Sequence, residues 1–298
     1  MIEAINLTKK FENNIALNSA NLKIPSGSIF GLVGSNGSGK STLLRLISGV
    51  YAPDSGEICI DKERPFNNAK KKSEICYLPD TPYFLHQSDL DEMAKFYAGI
   101  WQSFSFEKYN ELLKAFPLNN KHRISQMSKG MQRQAALILS LAACPKYLLL
   151  DESLDGLDPV MRRVLKSILI DCAENGTTTV ISSHSMRDVD NLCDNVALLH
   201  RGESILAGNL AAIKEDIHKI QMAFEKTPEE TVFSGLHLLK IERTGRLITM
   251  VVKGQKQELE HKIKQLSPLF ADFLEPSFEE IFLYELEAKG YDAANILK

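Results

Sequence analysis

The most reactive-looking stretch of the chain is residues 34–42, which read Gly34, Ser35, Asn36, Gly37, Ser38, Gly39, Lys40, Ser41 and Thr42 and fit G-x-x-x-x-G-K-[ST] at every fixed position. The chemistry of such a run is phosphate binding. Its glycines let successive N–H groups converge on phosphate oxygens, and a helix starting near Gly39 turns its partial positive end toward the same anion. Lys40 is expected to reach the β- and γ-phosphates, Ser41 to ligate Mg²⁺, and Thr42 to bond on the α-phosphate side. A second cluster follows at Asp151 and Glu152, adjacent carboxylates that end the apolar run 147–150. Asp151 is expected to hold Mg²⁺ through water, and Glu152 to orient or deprotonate the water that attacks a γ-phosphate. His184 stands just past the β-branched run 177–182, on the strand next in order, and would face the same crevice.

These residues need elements to hold them. Residues 28–33 read as a buried strand and 43–48 as a helix, the strand, loop, helix context that the glycine-rich run requires. Residues 2–7 and 16–24 read as strands, with 8–14 as a turn that exposes Phe11, a candidate stacking platform for adenine. Residues 57–60 and 75–78 are further strands, the latter ending at Pro79 and Asp80, which places the Asp80 carboxylate toward the metal. Lys70, Lys71 and Lys72 read as solvated surface. From 81 to 116 the pattern is helical and rich in aromatics, including the single tryptophan, Trp101; it combines local core with the composition of a groove for a partner's helix. Ser128 is placed to cap a helix over 129–144 whose first turn holds Lys129, Gly130 and Met131, an arrangement that can also bind an anion. A helix over 160–174 ends at Asn175 and Gly176.

Composition narrows the function classes. The chain has 298 residues, 44% of them hydrophobic and 24% charged, with a net charge of −3, so a large core domain plus a smaller one is expected and nucleic acid is not the expected partner. Five cysteines, with no C-x-x-C pair, read as reduced core residues. No apolar run is long enough to span a membrane, and residues 1–7 do not resemble the start of a signal peptide. Work at a membrane would therefore require another chain.

In this order, residues 2–208 resemble the nucleotide-binding domain of ATP-binding cassette (ABC) transporters. Residues 34–42 correspond to the Walker A loop, 147–152 to the Walker B strand with its catalytic glutamate, and Ser128, Lys129, Gly130, Met131 and Gln132 to the signature segment. Gly156, Leu157 and Asp158 match the D-loop, His184 the switch histidine and Phe11 the adenine-stacking aromatic. The resemblance implies ATP and Mg²⁺ as cofactors, with Ser41, Asp80 and Asp151 around the metal. It also implies a head-to-tail homodimer in which each signature segment meets the γ-phosphate held by the other copy. An integral-membrane permease partner, a peripheral position on the inner face of the cell membrane and an exporter or antibiotic-resistance type follow from the same source. Three positions differ from the common pattern: Asp80 stands for a glutamine, Lys129 for a glycine and Ser153 for a proline.

The implied fold is α/β: a P-loop ATPase core with a mainly parallel sheet, an antiparallel β subdomain and a helical subdomain near 81–143. That domain covers 1–215. Residues 216–298 read as a small α+β accessory domain, with strands at 217–224 and 238–252, the latter a hairpin turning at Thr244, Gly245 and Arg246, and helices at 258–266 and 278–289. Two other functions compete. One is a soluble ABC ATPase acting on nucleic acid or ribosomes, which sustained heptads or a basic face would favour; neither is evident. The other is a binding-only regulatory subunit, against which Lys40, Glu152 and His184 speak.

Overall fold

A computed structural model describes residues 1–225 and 228–288. The chain divides into two compact units, one from Met1 to Ala207 and one beginning at Gly208.

The first unit opens with β1 (Ile2–Phe11) and β2 (Asn14–Ile24), followed by the fully buried β3 (Ile29–Val33), α1 (Lys40–Ile47), β4 (Ser55–Ile60), the short α2 (Ala69–Ser73) and β5 (Ile75–Leu78). Three helices come next, α3 (Leu90–Ile100), α4 (Phe106–Ala115) and α5 (Lys129–Ala142). Then follow β6 (Tyr147–Asp151), α6 (Pro159–Glu174), β7 (Thr178–Ser183), α7 (Met186–Leu192), β8 (Asn195–His200) and β9 (Glu203–Asn209).

Six strands form one sheet in the order β5-β6-β7-β3-β8-β9, and β5-β6, β6-β7, β7-β3 and β3-β8 all pair in parallel. Parallel strands must be covered on both faces, and β3, β6 and β7 are accordingly buried at every residue. A separate antiparallel sheet has the order β2-β1-β4. Between them lies one core, in which Leu43, Leu44, Leu46 and Ile47 of α1 meet Leu7, Leu17, Ile24 and Ile58 from the small sheet and Phe30, Leu32 and Leu149 from the large one. This packing aims the N-terminus of α1 at the C-terminal ends of β3, β6 and β7, where open parallel sheets place ligands.

The structure changes several expectations. The expected turn over 8–14 is shorter, because the β1–β2 ladder runs on through Lys9↔Leu17, Lys10↔Ile15 and Phe11↔Asn14. Phe11 is thus a strand-end residue. The aromatic-rich stretch is not helical from 81: α3 starts only where Asp89 and Glu92 form a reciprocal capping box. Trp101 is tied to the core by donating Nε1–H to the Ile75 carbonyl, 3.0 Å away, and stacks on Tyr97. Lys71 is not solvated but buried, with its ammonium 3.0 Å from Glu74 and 3.6 Å from Asp61. All five cysteines are free, but Cys144 is exposed and Cys59 half-buried, so these two are not core residues.

The second unit contains α8 (Leu210–Asp216), β10 (Ile217–Ala223), β11 (His237–Thr244), β12 (Leu247–Lys253), α9 (Lys256–Gln265), β13 (Phe270–Leu274) and α10 (Phe278–Ala288). Its sheet order is β11-β12-β10-β13 with every neighbouring pair antiparallel. That is the split β-α-β arrangement of ferredoxin-like sheets, with the first helix reduced to the 3₁₀ turn Glu230–Phe233. Ile220, Met222, Ile248, Met250 and Val252 bury one sheet face against Leu259 and Ile263 of α9. The short β13 is absent from the expected elements, as are α7, α8, β8 and β9. The expected last helix extends to 289, which lies outside the described residues.

Candidate functional site

The loop between β3 and α1 has the backbone its glycines permit. Gly37 and Gly39 have φ of 79° and 106°, and a Cβ on Gly34 would stand 2.3 Å from the Leu199 carbonyl oxygen. Gly39 caps α1 in a left-handed conformation without a side-chain bond, so the helix presents its first N–H groups to the loop. The loop borders a cavity of about 320 Å³ that Phe11, Asp80 and Glu152 also line. Ser38 lines it too; its hydroxyl is buried with no hydrogen-bond partner among the described residues, an unused donor suited to an anion's oxygen.

Lys40 is only 4% exposed, a costly place for an ammonium without partners. It donates to the carbonyls of Gly34 at 2.7 Å and Ser35 at 3.2 Å and lies 3.4 Å from Glu152 Oε1. Asp151, 1% exposed, is the hub of the second cluster. Its Oδ1 accepts from Ser41 Oγ at 3.1 Å and from Ser182 Oγ at 2.6 Å, and its Oδ2 accepts from the Tyr77 hydroxyl at 3.1 Å. Burial and then the Asp151 carboxylate push the Tyr77 phenol above its ordinary range. Ser41 and Asp151 bring two hard oxygens together next to the glycine-rich loop, a donor set that fits Mg²⁺.

Glu152 has a left-handed backbone, φ 47°, a conformation that costs a non-glycine residue about 1 kcal/mol or more and clusters at functional positions. Its N–H donates to Ser182 Oγ at 2.9 Å, which helps hold that turn. His184 Nδ1 lies 3.8 Å from Glu152 Oε2 and 3.8 Å from Asp155 Oδ2, with its ring half exposed. Phe11 stands edge-on to Tyr51 with ring centroids 5.3 Å apart, at the cavity's rim.

The structure thus brings Phe11, residues 36–42, Asp80 and Glu152 to one cavity, with Asp151 and His184 beside them. Asp80 borders that cavity, but its Oδ1 is engaged by Arg133 Nη2 at 2.9 Å. Ser128, Lys129, Gly130 and Met131 form the start of α5, where Ser128 Oγ accepts from the Met131 N–H at 3.3 Å; among the described residues they do not line this cavity. The sequence reading missed Ser182, Tyr77, Arg133 and Asp155 as site residues. Ser182 had a readable signal, since a hydroxyl near the end of a buried strand pairs in register with Asp151. The other three become visible only through tertiary packing.

Comparison with known proteins shows the family. The ABC transporter family model matches residues 17–155. The chain is 31% identical over 290 residues to the ABC transporter ATP-binding protein YtrB of Bacillus subtilis, spanning 97% of this chain and 99% of that protein. It is 31% identical to the lantibiotic transport ATP-binding protein SrtF of Streptococcus pyogenes over 76% of this chain and 99% of SrtF. Among solved structures, a dimeric ATP-binding cassette in a post-hydrolysis state with ADP and Pi superposes with a TM-score of 0.60 at 25% identity, covering 70% of this chain and 99% of that one. The chain belongs to the ATP-binding proteins of ABC transporters, and its α/β fold is that of their ATPase cassettes. No helix of the described residues is long and apolar enough to cross a membrane.

Proposed function

We propose that this chain binds ATP with Mg²⁺ and hydrolyses it as a head-to-tail homodimer, driving a separate integral-membrane permease, of exporter type, from the inner face of the membrane. The observation that carries the reading is the convergence of Lys40, Ser41 and Glu152 on one cavity, with Asp151 hydrogen-bonded to Ser41 behind it. Phe11 stacks on adenine, the N–H groups of residues 35–40 hold the phosphates, Lys40 bridges the β- and γ-phosphates, and Thr42 bonds on the α-phosphate side. Ser41 and Asp151 hold Mg²⁺, which when bound neutralises charge developing on the phosphate oxygens. Glu152 accepts the proton of the attacking water as the new P–O bond forms and the bond to ADP breaks. His184, 3.8 Å from Glu152, steadies that carboxylate and the γ-phosphate side of the site. Ser128, Lys129, Gly130 and Met131 serve the other copy's γ-phosphate through the capped start of α5. SrtF, a lantibiotic transport ATP-binding protein, supports a role in transport, and the dimeric cassette supports the pairing of two copies.

The test is isolation of the tagged chain from its native membranes. A multi-spanning membrane chain should accompany it, and the complex should release phosphate from ATP only with divalent cation. Isolation with ribosomes or DNA instead, or absence of ATP hydrolysis by the complex, would contradict the reading.

A further inference from the structure

We propose that Arg133 is a positioning residue that clamps the nucleotide site to the start of α5, with Asp80 orienting it. The inference rests on the ATPase reading above. Arg133 lies on α5, five residues past the Ser128 cap, and its guanidinium faces two other segments at once. Nη2 donates to Asp80 Oδ1 at 2.9 Å, at the end of β5, while Nη1 donates to the Asp155 carbonyl in the loop that follows Glu152. A planar fork suits such two-way bonding, and a lysine does not reproduce it.

The second contact gives the first its meaning. An exposed ion pair alone contributes little, and Asp80 is 55% exposed. But Arg133 also fixes the backbone of Asp155, whose carboxylate faces His184 at 3.8 Å, and His184 faces Glu152 at the same distance. The loop and the start of α5 touch elsewhere too: a Cβ on Gly130 would stand 3.5 Å from the Gly156 carbonyl oxygen. Leu154 and Leu157 are buried on either side of Asp155, so the loop is anchored by apolar contacts while Arg133 sets the peptide between them. Arg133 thereby governs where Asp155 and His184 stand relative to Glu152. Asp80 acts as the anion that aims Arg133.

The test compares the full-length chain with Asp80→Asn, Arg133→Gln, Arg133→Lys and the Asp80→Asn/Arg133→Gln double variant. Each is assayed for ATP hydrolysis over a Mg²⁺ titration and for amide hydrogen exchange in peptides covering 152–158. Arg133→Gln should lower kcat about tenfold while KM for ATP moves less than about twofold, and exchange in 152–158 should quicken severalfold. Asp80→Asn should show a smaller loss in the same direction with an unchanged Mg²⁺ midpoint. The double variant should be no worse than Arg133→Gln, because Asp80 acts through Arg133. Arg133→Lys, which keeps the charge and loses the fork, should fall between parent and Arg133→Gln and serves if the glutamine variant does not fold. Parental kinetics and exchange in the arginine variants would overturn the proposal, as would fully multiplicative losses in the double variant or a shifted Mg²⁺ midpoint in Asp80→Asn with unchanged exchange. A parent that hydrolyses no ATP would contradict the ATPase reading, while the exchange data would still decide the clamp.

Discussion

Lys40 and Glu152 form an ion pair across the cavity, Nζ to Oε1 at 3.4 Å, with the lysine almost fully buried. The cation expected to meet the phosphates and the carboxylate expected to meet the attacking water are therefore in direct contact. A γ-phosphate reaching Lys40 competes with Glu152 for the ammonium, which leaves the carboxylate available to accept a proton.

Glu152→Gln should therefore keep ATP affinity or tighten it, since a neutral amide competes less well for Lys40. Turnover should fall about 10²-fold or more with the base removed. Single-turnover phosphate release and equilibrium binding of ATP separate the two effects. Hydrolysis at the parental rate would remove Glu152 from its role.

Ser182 joins the two carboxylate residues, donating to Asp151 and accepting from the Glu152 N–H. Ser182→Ala leaves that half-buried N–H without its partner and removes one of the donors to Asp151. Folding stability should drop by about 1–3 kcal/mol, measured by urea unfolding, and the Mg²⁺ midpoint of hydrolysis should rise as Asp151 loses its orientation. Unchanged stability together with an unchanged midpoint would count against this hub.

Asp61 provides a prediction of pH dependence away from the site. Its Oδ1 lies 2.7 Å from the Met1 ammonium, and its Oδ2 lies 2.7 Å from Lys146 and 3.6 Å from Lys71. Burial works against its charge, but hydrogen bonds from Lys146, the N-terminal ammonium and Tyr147 hold the carboxyl far below the usual carboxylate range. A folded-state value below the unfolded one, about 3.9, stabilises fully above that pH and is lost as pH falls through the folded value. Asp61→Asn should cost about 1–3 kcal/mol at pH 7, and the gap from the parent should narrow on acidification below about pH 4. Urea unfolding at both pH values checks it; a gap that widens in acid would contradict the assignment.

The glycine-rich loop and the carboxylate pair were legible as structure because they depend on local spacing. A glycine pattern between a buried strand and a helix, and two acids ending an apolar run, specify their own geometry, and β3, α1 and β6 formed where expected. The turn over 8–14 and the solvated Lys71 were misread because local composition does not reveal strand pairing or a buried ion pair, both of which depend on distant residues. Arg133 gave no signal at all, since its two partners lie at 80 and 155 in the sequence. The left-handed turn at Glu152 was equally hidden, because a glutamate carries no propensity for it.

The most direct test of the central claim, a site completed by two copies of the chain, mixes two inactive variants. Lys40→Ala removes the phosphate cation and Ser128→Arg blocks the start of α5. In a head-to-tail mixed dimer both lesions fall in one composite site and leave the other with intact Lys40 and Ser128. Random assortment makes about half the dimers mixed, so recovery should approach roughly a quarter of parental ATP hydrolysis for independent sites. Measurable recovery under confirmed subunit exchange is the predicted result. No recovery under the same conditions, with the ATP-bound chain remaining a monomer, would contradict the account.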